Sequence, residues 1–188
     1  STTVEHMDTP TYSYTLTEEN NGRRIFCEII DKYGKNLNTD TIIVGTPVEI
    51  ISHPANTTGE LNSLVSTSVN AAGCGLKYQW YERNAGTSYW ARAKDTDDTY
   101  SCTLTKFRDG KEVYCEITDA FGNKVRTRSA TLGLPLEIIR QPINSSAPMG
   151  QVARTTLKAS GSGLRYRWFI RYSGDIYWYS TSSVSPTY

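Results

Sequence analysis

Between residues 64 and 126 the hydrophobic positions recur with a period of two. Val65, Thr67, Val69 and Ala71 form one apolar-leaning face, and after a glycine turn at Gly73 and Gly75 the pattern resumes at Leu76, Tyr78 and Trp80. Successive side chains of a strand point to opposite faces, so this segment is expected to be a strand, a turn and a strand. The turn Asn84-Ala85-Gly86 leads to a short expected strand through Tyr89 and Trp90. Two further strands should turn Tyr100, Cys102 and Leu104, then Val113, Cys115 and Ile117, toward the interior. Asp119 to Gly122 closes a hairpin into Val125. No stretch beyond a turn or two carries helical spacing, so the chain is expected to be all-β. About seven short strands with turn signals every 8 to 12 residues or so predict a two-sheet sandwich.

Shifted by 88 residues, the chain superposes on itself without a gap from Tyr12 on Tyr100 to Tyr100 on Tyr188, with 32 of 89 pairs identical. Gly73, Gly75, Leu76, Tyr78, Trp80 and Trp90 repeat as Gly161, Gly163, Leu164, Tyr166, Trp168 and Trp178. Cys27, Glu28, Ile29, Asp31 and Gly34 repeat as Cys115, Glu116, Ile117, Asp119 and Gly122. A repeat of this length is one domain. Pro47 and Pro54 bracket a short apolar run, which places a boundary at residue 47. Residues 47–134 are then a complete copy, 8–46 the back half of an earlier one and 135–188 the front part of a later one. Residues 1–7 match nothing in register, and His6-Met7 reads as the remnant of a tag.

Trp80 and Cys115 stand 35 residues apart, with Arg108-Asp109-Gly110 leading into Val113-Tyr114-Cys115. They look like the core Trp and second Cys of an immunoglobulin-like domain. More narrowly, Gly75 to Tyr81, Trp90, Arg108-Asp109-Gly110, Val113 to Cys115 and Asp119 to Asn123 resemble the tandem Ig-like repeats of surface proteins from Gram-positive, gut-type bacteria. The resemblance implies Ig-like β-sandwich repeats, one complete and two partial, in a cell-surface or secreted protein. Thr67 replaces the first disulfide Cys and Val113 the corner Tyr, so the two sheets are expected to be held by packing alone.

The four cysteines divide by register. Cys27 and Cys115 share one position and are expected to be core thiols, as Trp80 and Trp168 are expected to be core indoles. Cys74 and Cys102 are replaced by Ser162 and Tyr14 in the other copies and are open to two readings, a disulfide or two free thiols. Tyr81, Tyr89 and Trp90, with Tyr177 and Trp178 of the next copy, are the candidate ligand surface, against an edge-covering role for Trp90. Asp95, Asp97 and Asp98 become Ser183, Ser185 and Pro186 in the next copy, which favours a solvated turn over a calcium site.

Lys and Arg total 20 against 19 Asp and Glu, a net charge of +1 that steers the chain toward neither nucleic acid nor anionic membrane. With two His and no CxxC, neither a metal nor another cofactor is expected. No apolar run approaches the roughly 20 residues of a membrane helix. The recurring Glu28, Glu116, Asp31 and Asp119 are assigned to an outward strand face and a hairpin turn, which argues against a carboxylate enzyme. The expected function is a non-enzymatic spacer stalk or adhesive array outside the cell, and the alternative is a module that binds glycan or protein, host or cell-wall, through Tyr89 and Trp90. The two end pieces carry complementary strands, so self-association into a homodimer is expected.

Overall fold

A computed structural model describes residues 9–187; the expected tag remnant, residues 1–7, lies outside the described residues. After a 3-10 turn at Glu18–Asn20 come β1 (Arg23–Ile25), β2 (Glu28–Ile30), β3 (Asn36–Asn38) and β4 (Ile42–Val44). The central part holds β5 (Glu49–Ser52), β6 (Thr57–Thr58), β7 (Leu64–Ser68), β8 (Asn70–Ala72) and β9 (Lys77–Arg83). It continues with β10 (Ala91–Arg92), β11 (Thr99–Thr103), β12 (Lys111–Thr118), β13 (Lys124–Arg126) and β14 (Ala130–Gly133). The last part holds β15 (Glu137–Arg140), β16 (Lys158–Ser160), β17 (Phe169–Ile170) and β18 (Tyr179–Ser180).

The central strands make two layers. One is a six-stranded sheet in the order β10-β9-β12-β14-β6, with β13 also paired to β12. The other is formed by the pairs β11-β7 and β5-β8. The alternation of period two is realised along residues 65 to 71, where Val65, Thr67 and Val69 are buried between exposed neighbours. Val69 lies between β7 and β8, where the strand changes partner from β11 to β5.

Between the layers lies one core of Val65, Val69, Trp80, Tyr100, Cys102, Leu104, Val113, Cys115, Ile117, Ala130 and Leu132. Trp80 is 0% exposed and pairs across the sheet with Cys115. Its indole N–H donates to the Asp97 carbonyl at 2.9 Å, so the one polar atom of this large ring is satisfied. Thr67, at the expected first-cysteine position, donates its hydroxyl to the Ala55 carbonyl at 2.8 Å.

Packing is not the only tie between the sheets, contrary to expectation. The hydroxyl of Tyr100 on β11 donates to Glu82 on β9, and Glu82 also pairs with the buried Lys111 of β12 at 2.9 Å. This polar group joins both layers.

The end pieces repeat the central pairings 88 residues away. β1 pairs β4 with Arg23 opposite Val44, as Lys111 stands opposite Leu132, and β2 pairs β3 with Glu28 opposite Asn38, as Glu116 stands opposite Arg126. β15 pairs β16 with the same register shift seen between β5 and β8. What the pieces lack is the cross-pairing that joins them. Among the described residues no strand of 9–46 pairs with one of 135–187, so no counterpart of β9 against β12 forms. Ile117 is 0% exposed in the central part and its counterpart Ile29 is 59% exposed. For the same reason two expected core residues are placed differently: Cys27 is exposed and Trp168 only half-buried.

Candidate ligand surface

The outward face of the larger sheet is built from cross-strand pairs. Tyr81 on β9 stands opposite Tyr114 on β12, and their rings stack at 5.0 Å with planes 13° apart. Two positions further, on the same face, Arg83 stands opposite Glu112 and bonds it at 2.8 Å. Arg126 of β13 lays its guanidinium 3.6 Å from the Tyr114 ring centre. Trp90 meets Tyr114 edge-on at 4.7 Å, and Arg83 lies 4.6 Å from the Trp90 ring centre. Such aromatic and cation–π pairs add to the stability of a half-buried sheet face.

This ladder places the predicted residues unequally. Trp90 is half-buried, wedged between Tyr114 and Arg83. Tyr89, beside it in sequence, is 77% exposed. Neither belongs to a strand, contrary to expectation, because the strand there is only Ala91–Arg92. In the next copy Arg171 stands over Trp178 at 5.0 Å, repeating the Arg83 contact. Trp178 and Tyr177 are nevertheless exposed, since among the described residues no strand equivalent to β12 lies beside them. Arg83, Tyr114 and Arg126 were not among the predicted site residues. The identity of Arg83 and Arg171 across the repeat was the available signal for the first.

Beside Tyr89 lies a cleft of about 220 Å³ lined by Glu82, Arg83, Asn84, Thr87, Tyr89, Ala91 and Lys111. Arg83 Nε and Asn84 Oδ1 are buried and have no hydrogen-bond partner among the described residues. Burial works to raise the Glu82 carboxyl, but hydrogen bonds from Tyr100 and Lys111 outweigh it and hold the group below its ordinary value. The cleft therefore combines an open aromatic ring with an anion, two cations and an amide. It has hydrogen-bonding capacity for a small polar ligand.

The thiols divide as follows. Burial, with some help from Glu116, pushes Cys115 up to about 11 against a hydrogen bond with the Gln79 backbone, so it is not a thiolate at neutral pH. Cys74 and Cys102 are both free and buried. Cys102 stands opposite Val65, nine residues up the strand run that leads to Cys74, so the two lie on the order of 25 Å apart. A disulfide needs Cα atoms about 4.4 to 6.8 Å apart, and the bridge is excluded.

Asp119 lies at the hairpin turn where the sequence places it. It is buried there and accepts from the backbone N–H of Phe121 and Asn123 at 2.9 Å and from Val48 at 3.1 Å. Burial opposes its ionisation, while these donors and the Asn123 amide hold it below the usual carboxylate value. Among the described residues no cluster of three or more His, Cys, Asp or Glu could hold a metal, and no helix is long and apolar enough to cross a membrane.

The strand order and registers define an immunoglobulin-like β-sandwich repeat. No family model matches the chain, and no characterised protein sequence matches it. Among solved structures it is similar to Sidekick-1 immunoglobulin domains 1-5, at 15% identity over 82% of this chain with a TM-score of 0.42. It is also similar to extracellular domains 3-5 of Drosophila OTK, at 12% identity over 88% with a TM-score of 0.41. A third is DIP-gamma IG1+IG2, at 13% over 63% with a TM-score of 0.37. The chain spans 36%, 60% and 62% of these three structures, less than two thirds of each.

Proposed function

We propose that the chain is a non-enzymatic segment of tandem Ig-like repeats from a bacterial cell-surface or secreted protein, serving as a spacer stalk or in adhesion. The observation that carries this reading is the recurrence of the same strand pairings 88 residues apart, across linkers as short as Thr46-Pro47 and Leu134-Pro135. Short Pro-containing linkers between sandwiches extend a chain and present its loops repeatedly. The boundaries we adopt are residues 8–46, 47–134 and 135–188. An antibody raised against residues 47–134 should label intact cells that produce the parent protein. Labelling only after lysis would refute the surface assignment.

A second reading is a glycan- or protein-binding module, and the cleft beside Tyr89 favours it. Tyr89, Arg83 and Asn84 would contact the ligand, with Trp90 as support beneath. Oligosaccharide titration followed by Trp fluorescence tests it, and a flat response in both the unaltered chain and Tyr89→Ala removes glycan binding. The strands that each end piece lacks are those that the other carries. We therefore propose pairing of residues 9–46 of one chain with 135–187 of another, Phe26 and Cys27 lying against Phe169 and Trp168.

A further inference from the structure

Two contacts between successive repeats share one plan. At the first, the Thr46 backbone N–H donates to Asn21 Oδ1 at 2.9 Å, and the Asn21 amide donates to Thr46 Oγ1 at 3.1 Å. The turn of the following repeat then comes against this corner, with the Cys74 N–H donating to the Thr46 carbonyl at 3.0 Å. Two glycines make room for it. A Cβ on Gly45 would lie 2.8 Å from Cys74 Cβ, and one on Gly22 would lie 2.8 Å from Cys74 Sγ.

The second contact uses the residues 88 positions on. The Leu134 N–H donates to Asp109 Oδ1 at 2.8 Å and to Ser162 Oγ at 3.1 Å, and the Ser162 hydroxyl also bonds Asp109. A Cβ on Gly133 would overlap Ser162, and one on Gly110 would come within 3.8 Å of Ser162 Cβ. Asn21, Gly22, Gly45, Thr46 and Cys74 thus correspond in register to Asp109, Gly110, Gly133, Leu134 and Ser162. The polar atoms differ in kind, but the backbone donor, its side-chain acceptor and both glycines are retained.

We infer that this corner is a docking surface whose partner is the next copy of the same repeat. One repeat offers a side-chain acceptor flanked by two glycines, and the next inserts the small residue of the turn between its Trp strand and the strand before it. Each insertion leaves no room for a Cβ at the glycine before the linker, Gly45 or Gly133, and the first also closes on Gly22, so neighbours meet in one geometry rather than swinging on a free linker. An array of these units is a stiff rod. The inference goes beyond a spacer or adhesive role and does not depend on what the loops bind.

Cys74 supplies the test, because it is buried with its thiol against Gly22 and its Cβ against Gly45 at the first joint. The full chain is treated with excess N-ethylmaleimide and labelling at each cysteine is followed by peptide mass spectrometry. Relative to the same chain unfolded in guanidinium chloride, Cys74 of the folded chain should be protected by about tenfold or more, because labelling of a covered thiol requires local opening. Asn21→Ala and Gly45→Leu should each raise Cys74 labelling about tenfold while Cys102 and Cys115 stay protected. Both substitutions lie outside residues 47–134, so the two core thiols report that the central sandwich is intact. If Cys74 in the folded, unaltered chain reacts as fast as in the unfolded chain, or stays protected in both variants, the docking surface does not exist.

Discussion

Replacing Tyr100 with Phe removes one hydroxyl from the tie between the sheets and leaves the shape of the core unchanged. The ring of Tyr100 packs on Trp80 at 5.8 Å, and that contact survives the substitution. What is lost is a hydrogen bond to the ionised Glu82, after which Glu82 keeps only Lys111. A hydrogen bond to a charged group is worth about 1.5 to 3 kcal/mol, so Tyr100→Phe should destabilise the central sandwich by about 2 kcal/mol. Hydrogen exchange of the β9 and β12 amides reads this directly, as protection falling roughly 10- to 100-fold. A cycle with Glu82→Gln should return a coupling of about 1 kcal/mol or more. The same bond sets an alkaline signature. Burial first, and Glu82 second, push the Tyr100 hydroxyl above its ordinary value. The folded chain therefore keeps a proton that the unfolded chain loses. This contribution is complete below about pH 10 and declines as pH rises further, and Tyr100→Phe should remove that part of the slope. Exchange within about 0.5 kcal/mol of the unaltered chain, with no coupling to Glu82, would refute the reasoning.

Three further outcomes follow from the structure. Trp90→Ala should cost about 1 to 2 kcal/mol by thermal unfolding, because Tyr114 and Arg83 lose their shared ring, whereas Tyr89→Ala should stay within about 0.5 kcal/mol. Asp119 ionises below its ordinary value, so its contribution is present above roughly pH 4 and lost as pH falls through the folded value. Asp119→Asn should flatten the acid limb of stability between about pH 7 and 2, and identical limbs would show that the turn carboxylate is not responsible. Light scattering over a dilution series should find a species near twice the 21.0 kDa chain, and a monomer at every concentration would rule out pairing of the end pieces.

The core was legible because the strands signal it twice. Period-two alternation marks Val65 through Val69 and Val113 through Ile117, and the 88-residue shift marks Trp80 and Cys115 again. The ligand surface was less so. Tyr89 and Trp90 are adjacent and both aromatic, yet one is open and the other is clamped by residues from β9 and β12. Adjacent residues on an irregular segment have no periodicity from which facing could be read.

Sequence alone determined the all-β class and the inward set of the central strands, because a strand's side-chain period is local and a tandem repeat is visible without coordinates. Tertiary structure decided everything that depends on which elements meet. It separated Cys74 from Cys102 along one strand run, turned Asp119 inward to reach Val48 across 71 positions, and joined Tyr100 to Glu82 between the sheets. It also left Cys27 and Ile29 exposed where Cys115 and Ile117 are buried, from nearly the same local sequence. Burial is a property of the strand lying alongside, and a residue's own neighbours in the chain do not specify it.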